Sequence, residues 1–528
     1  MKRGSKKKWK KSPKKQAKKS GKSSAATRLV ATVRDGNPRT GKNPFSLFHD
    51  PHDQAFVRID YGDRTEIWPV ESTKFRKILS RNYYKSTGQI INRNALGDAI
   101  NTLAGLACSD GAEERTHLRV ARHGKNILID LCDRKWRVVE VKPDGWQILD
   151  TSPVAFVRTG SMQAFPEPEP GPSSLESLWS LMNVNKELRP LVAGCLVNAF
   201  HPEGPYFVIN YIGEQGTAKT CAARMHRQLV DPSENPLRSP PREENDLFAQ
   251  AINNRCLALD NLSHLALWLS DSLCRIATGG GVSKRKLYTD ADEMSREIKR
   301  PIIMNGIEDV AQRPDLAERT VQIELGTIDS ENRITEKVLW RDFEKARPLI
   351  FTAILNGLVT ALRTLPGLDF SERPLQRMAD GVEFATAAET ALGFERWAFY
   401  DAYQKNLDES ALTSVEVSPV GRALVKLLAK SKNEAWEGEP TTLLDALTLH
   451  ATEKDVELKE WPESVLALGH VLRRLAPALR RADINIERTK EKGRRIIKIT
   501  KKCKVSEEPS RSSKPSSPEA EAGSGMSP

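Results

Sequence analysis

The sequence is poor in the features that commit a chain to a membrane, an oxidising compartment or a structural metal. Only seven cysteines occur in 528 residues, an odd number, and neither a C-x-x-C pair nor a zinc-like histidine spacing accompanies them. A reducing compartment is the expectation. The longest apolar run is read at Leu191 to Phe200, broken by Gly194 and Asn198, well short of the roughly 18 residues of a membrane span. The lysine-rich N-terminus has no apolar segment of the signal-peptide kind, so a cytoplasmic location without membrane contact is expected. Acidic residues are missing from residues 1–25, which carry twelve Lys and Arg. Taking those twelve from the 81 Lys+Arg leaves 69, equal to Asp+Glu, so the whole formal excess of +12 sits in one tail. The body is neutral on balance, and basic surface there must come from local clustering.

What is present reads as a water-soluble globular chain, with 39% hydrophobic and 28% charged residues and a length that suits three or four domains. Residues 1–25 are expected to be a disordered Lys-rich tail, either solubilising or an arm that binds polyanions by counterion release. An α+β N-terminal domain of unknown role follows over 26–165, with helices near Ser72 to Gly88 and Asn94 to Leu106 and a small antiparallel sheet near Asn126 to Val141. Residues 166–174 read as a stiff Pro-rich linker, and they mark the clearest internal boundary. An α/β core spans 175–330 and a helical segment 331–410. A compact C-terminal domain covers 411–504, and 505–528 reads as a second disordered tail.

The chemistry concentrates in the α/β core. The strand-like run Tyr206 to Ile212 leads into Gly213, Glu214, Gln215, Gly216, Thr217, Ala218, Lys219 and Thr220, and a helical stretch begins at once. In a strand, glycine-rich loop and helix N-terminus of this kind, backbone N–H groups cradle phosphate. Lys219 would reach the β and γ phosphates of ATP, and Thr220 would ligate Mg²⁺. Ala218 stands where glycine is usual, and its small size keeps the loop tight. An apolar strand from Cys256 ends at Asp260, a second Mg²⁺ ligand, followed by Asn261 where many ATPases place a glutamate that activates water. Either Asp260 acts as base with Asn261 orienting water, or hydrolysis is slow. A further strand ends at Asn305, suited to sensing the γ phosphate, and Arg313 and Arg319 follow as arginines for a neighbouring subunit's ATP or for surface ion pairs. Between these strands, three glycines precede Lys284, Arg285, Lys286 and Tyr288, a tip suited to phosphodiester contact and base stacking, or simply a solvated hairpin.

These segments, Ile212 to Thr220 (IGEQGTAKT), Leu259 to Ser263 (LDNLS), Ala277 to Gly281 (ATGGG) and Asn305 to Leu316 (NGIEDVAQRPDL), resemble the superfamily III helicase arrangement. They are similar above all to the AAA+-like ATPase module of phage, plasmid and bacterial mobile-element replication proteins. The resemblance covers about Ser174 to Lys502. It implies a P-loop fold, a homo-oligomeric ring of about six subunits driven by Mg-ATP, Asn305 as sensor, Arg319 as a finger acting across the subunit boundary, and the basic loop gripping single-stranded or forked DNA.

In the C-terminal domain, amphipathic helices near Val420 to Leu428 and Thr441 to Leu449 precede a third that Ser464 caps and that carries Arg473 and Arg474. A basic hairpin with Arg494 and Arg495 follows, and three helices plus a hairpin describe a winged helix, used for DNA or for protein contacts. The leading expectation is an ATP-dependent DNA helicase or replication-initiator ATPase of mobile-element type. A DNA-binding regulatory ATPase that switches without unwinding is the alternative. Polymerisation is not expected, because no carboxylate cluster or zinc motif stands out in the N-terminal region.

Overall fold

A computed structural model describes residues 23–36, 43–171, 173–285, 293–306, 313–375, 377–491 and 493–501. The expected disordered tails lie almost wholly outside the described residues. Two units divide between Asn406 and Leu407.

In the first unit, side-chain caps fix where the early helices begin. Ser24, Ser72 and Asn92 accept from the third following backbone N–H and start α1 (Ala25–Asp35), α2 (Thr73–Thr87) and α3 (Arg93–Ser109). Strands β1 (Phe45–His49), β2 (Ala55–Asp60) and β3 (Thr65–Pro69) join the short β4 (Ala112–Glu113) in a sheet of order β3-β2-β1-β4. Phe75, Leu79 and Tyr83, four apart along α2, bury one helix face in the core that this sheet shares with α1 and α3. After the two-residue β5 (Thr116–His117), an antiparallel meander of β6 (Val120–His123), β7 (Asn126–Asp130), β8 (Val138–Lys142) and β9 (Gly145–Leu149) follows, and β10 (Ala155–Phe156) returns to pair with β5. The helices and the sheet expected between 26 and 165 are present, with α1 in addition.

The Pro-rich stretch expected as a boundary does not part the chain. Phe165 stacks on Phe351 with ring centroids 4.6 Å apart, and Glu169 exchanges two hydrogen bonds of 3.0 Å with the Thr352 hydroxyl. Composition reads such a run as a spacer, but the aromatic ring and main-chain groups at its start anchor it along a later helix.

Beyond it come α4 (Glu176–Trp179), α5 (Arg189–Asn198), β11 (Val208–Ile212), α6 (Lys219–Val230), α7 (Glu244–Asn253), β12 (Leu257–Leu262), α8 (Leu267–Thr278), β13 (Gly281–Arg285), β14 (Glu293–Glu297), β15 (Ile302–Gly306), α9 (Pro314–Ala317) and β16 (Thr320–Glu324). Four of these strands form an all-parallel sheet of order β12-β15-β11-β16, with apolar strands covered on both faces. Strands β13 and β14 form a separate hairpin. The helical segment holds α10 (Glu336–Thr364), α11 (Ala379–Ala388) and α12 (Ala398–Val417), the last crossing the division between units.

One expectation is corrected by α10. The segment Glu336–Gly367 is long and apolar enough to cross a membrane by length and composition, so the apolar stretch in α5 is not the most extended one. Its apolar character is spent on the fold: Ile350, Phe351, Ile354, Leu355 and Leu358 are buried.

The second unit contains α13 (Pro419–Lys430), β17 (Ala435–Gly438), α14 (Pro440–His450), α15 (Glu453–Glu457), α16 (Val465–Arg481), β18 (Ile484–Glu491) and β19 (Arg494–Lys501). Its three-stranded antiparallel sheet has the order β17-β19-β18. Leu468, Leu472, Leu475 and Leu479 line the buried face of α16, with Ile497 and Ile499 among the residues of the same core.

Candidate functional site

The loop between β11 and α6 is shaped by backbone conformations that few side chains tolerate. Gly213 has φ +143°, and a Cβ there would lie 2.6 Å from the Leu325 carbonyl oxygen. Gly216 has φ +87°. The Thr217 hydroxyl, buried, donates to the Glu214 carbonyl at 3.0 Å and closes the turn. Ala218 sits in the left-handed region at φ 67°, ψ 28°, immediately before Lys219 opens α6. Glycine is usual here because of that φ, and tightness is secondary, so Ala218 carries a cost of about 1 kcal/mol. The Lys219 ammonium donates to the carbonyls of Gly213 at 2.8 Å and Glu214 at 2.6 Å. Partial burial holds its pKa below the usual lysine value.

Three of the expected side chains converge at the ends of neighbouring elements. Asp260 Oδ1 lies 3.3 Å from the Thr220 hydroxyl and accepts from Asn305 Nδ2 at 2.7 Å. Asn305, buried, also accepts from the Asn261 backbone N–H through Oδ1 at 2.7 Å. The pairing of β12 with β15 shifts register between Leu259 and Leu262, and Asn261 takes φ 55°. This irregularity turns Asp260 out of the strand alternation toward Thr220. A hydroxyl and a carboxylate oxygen at this distance form a hard-oxygen donor pair of the kind Mg²⁺ shares with phosphate, and the described residues contain no cluster of three or more His, Cys, Asp or Glu side chains that would cage a metal alone.

Other assignments fare differently. Arg319 is 7% exposed, and its guanidinium donates to the Asp315 carbonyl within its own subunit. Burial lowers its pKa. A finger reaching another subunit needs a projecting guanidinium, whereas that of Arg319 is engaged on α9. Arg313 instead lies at the surface, 2.6 Å from Asp271 Oδ1. Lys284 and Arg285 occupy β13, paired with Met294 and Glu293 of β14. Lys286 and Tyr288 lie outside the described residues. In the second unit Arg473, Arg474, Arg494 and Arg495 are exposed. Arg473 donates to the Gly469 carbonyl at 3.1 Å, and Arg494 lies 3.2 Å from Glu439.

Sequence reasoning missed the groups beside the loop. Asn183, in the turn after α4, donates to the Gly326 carbonyl at 2.6 Å and ties that turn to the end of β16. A cavity of about 450 Å³ opens there, bounded by Gly216, Ala218, Met182, Arg333, Ile334 and Leu339. No local motif announces these residues, because they come from three separate segments.

A buried ionic knot holds the site from behind. Asp231, next after α6, accepts from Arg227 Nη1 at 2.7 Å, from the Cys256 N–H at 3.1 Å and from Arg119 Nε at 2.8 Å. Burial pushes the Asp231 carboxyl up, but the two guanidiniums outweigh it and hold the group below the usual carboxylate range. One carboxylate thus joins the end of the helix that Lys219 starts, the approach to the strand that carries Asp260, and the N-terminal region.

Comparison with known families gives the chain a place. Residues 175–411 match the family described as actinomycete integrative conjugative element replication protein, and residues 420–515 match the C-terminal domain of the same family. Over these two stretches the chain is similar to this replication-protein family. The family-matched region contains the loop from Gly213 to Thr220, Asp260 and Asn305, and its C-terminal domain contains Arg473 to Arg495. No curated protein sequence matches the chain. Among solved structures, one described as SCCmec type IV Cch, active helicase, is similar at 13% identity and a TM-score of 0.47, over 87% of this chain and 93% of that one. An apo form of the NrS-1 C-terminal region is similar at 13% identity and a TM-score of 0.37, over 87% and 96%.

Proposed function

We propose that this chain is a replication protein acting as an ATP-dependent DNA helicase or initiator ATPase with a P-loop, AAA+-like core and a C-terminal winged helix. The observation that carries the reading is the meeting of Thr220, Asp260 and Asn305 at the C-terminal ends of neighbouring strands of an all-parallel sheet, with Lys219 on the adjoining loop. Lys219 leaves the loop carbonyls and pairs with the β and γ phosphates of ATP, and the loop N–H groups hold the phosphate chain. Thr220 and Asp260 would hold Mg²⁺, which would supply charge neutralisation for phosphoryl transfer. Asn305 fixes Asp260 and is placed to report the γ phosphate. Lys284, Arg285, Lys286 and Tyr288, the basic and aromatic run read from the sequence, would contact single-stranded DNA in a ring of about six subunits. Arg313 is the better candidate for a finger in trans. In the second unit, α16 offers Arg473 and Arg474 to a DNA groove while Arg494 and Arg495 touch phosphates.

Lys219→Ala should lower DNA-stimulated ATP hydrolysis by about 10² to 10³-fold, the scale of losing one transition-state donor, without changing the melting temperature. Full turnover in that variant would sink the reading. Unwinding is tested separately on a forked duplex: hydrolysis without strand displacement removes the helicase half.

One observation favours a second reading. Asn261 occupies the position of the usual catalytic glutamate, with its backbone N–H bound to Asn305, which suits a slow nucleotide switch that regulates DNA binding. Neutralising Lys284, Arg285 and Lys286 separates the two, since a motor loses DNA stimulation of its ATPase and a switch that binds through the winged helix keeps it.

A further inference from the structure

We propose that Arg333 is a phosphate-gripping arginine supplied to the nucleotide by its own subunit, and that the cavity beside it seats the base. This deepens the reading of the Gly213 to Thr220 loop and rests on it. The guanidinium of Arg333 overhangs the loop: a Cβ placed on Gly216 would lie 3.3 Å from its Nη2. Among the described residues no carboxylate lies within ion-pair distance of it, and its one side-chain hydrogen bond is a long contact of 3.5 Å from Nε to the Ile328 carbonyl. An uncommitted guanidinium over a phosphate loop is a group waiting for an anion, and its planar fork suits phosphate oxygens better than an ammonium does. The other expected arginine, Arg319, is spent inside the fold.

The cavity gives the same ligand a second anchor. Its volume of about 450 Å³ falls in the range of small-molecule sites. Gly216 and Ala218 of the phosphate loop line it, Met182, Ile334 and Leu339 form an apolar wall, and Asn332 and Glu336 line it as well. Ile334, the next residue to Arg333, is 54% exposed and lines this cavity. A nucleoside triphosphate laid along this wall has its base against Ile334 and its phosphates between the loop and Arg333. The segment from Ile328 to Ile334 links β16 to α10, so the nucleotide bridges the sheet edge and the start of the helical segment.

The test uses the full chain, a fluorescent ribose-labelled ATP as probe, and inorganic tripolyphosphate as competitor. Arg333→Ala should weaken binding of both about tenfold, and Arg333→Lys should recover part of the loss. Ile334→Asp should weaken the labelled ATP while leaving tripolyphosphate competition unchanged. The unliganded melting temperatures should stay at the wild-type value, because both side chains are exposed. Labelled-ATP binding within twofold of wild type in Arg333→Ala, or equal loss of both ligands in Ile334→Asp, overturns the proposal. Lys219→Ala separates the two levels. If it abolishes probe binding while Arg333→Ala does not, only this proposal falls. If wild type and Lys219→Ala bind the probe alike, the reading of the loop falls and takes this proposal with it.

Discussion

The loop site of the first unit and the cationic face of the second obey opposite rules. At the loop site, Arg333 apart, the named charged groups already have partners: Asp260 with Thr220 and Asn305, Lys219 with two carbonyls, Asp231 with two arginines. On the second unit, Arg473, Arg474 and Arg495 are exposed, and Arg494 has one surface carboxylate that contributes little. Charge at the loop is immobilised by the fold; charge on the second unit, proposed to meet a polyanion, is left solvated. Damage to the first should therefore appear as lost folding or lost turnover, and damage to the second as a graded change in affinity.

After the Lys219 variant, the largest expected effect is on the buried knot. Arg119→Ala removes one of two cations from Asp231 and should destabilise the first unit by about 3 kcal/mol, read by urea unfolding. The second unit's transition should stay in place, and a shift of both together would break the contrast. The next effect comes with pH. His226 is buried with Nδ1 2.9 Å from the Tyr211 hydroxyl, and desolvation lowers its pKa to about 3. The unfolded chain takes up a proton near pH 6.5 that the folded chain refuses, so stability is present above that value and is lost as pH falls toward the folded pKa. The slope contributed is about 1.4 kcal/mol per pH unit, and His226→Gln should flatten it between pH 6 and about 4. No flattening would mean that other groups set the acid limit.

How much of this could be read from residues alone follows from range. The loop was legible because strand, glycines, lysine and helix are contiguous, and Asp260 and Asn305 because each ends an apolar strand. The role of Ala218 was half legible, since its size was plain and its φ was not. The burial of Arg319 was not legible because a sequence does not display burial, and the anchoring of the Pro-rich stretch was not because composition does not show Phe165 stacking on Phe351. Arg333 and Arg119 carry no motif; Arg119 meets Asp231, and Arg333 approaches Gly216, only after distant segments fold together.

Smaller effects sharpen the other half of the comparison. Arg473→Ala with Arg474→Ala should lower the salt dependence of DNA affinity by about one unit of logarithmic slope per arginine, with ATP hydrolysis at saturating DNA unchanged. An unaltered slope would point to protein contacts for that face. Smallest of all, Ala218→Gly relieves the left-handed strain but adds freedom to the unfolded chain, so the net change should lie within about 1 kcal/mol. A large loss of stability there would show that the methyl group packs against something essential.

The knot at Asp231 also sets the shortest piece of this protein that can stand alone. The family-matched region begins at residue 175, yet one guanidinium that neutralises its buried carboxylate comes from residue 119. Cutting at the family boundary would take Arg119 away from that carboxylate and from the Pro232 carbonyl that it also serves. The N-terminal region is thus stitched to the family-matched region by a buried charge, and a fragment that begins at residue 175 leaves Asp231 with Arg227 as its remaining guanidinium partner among the described residues.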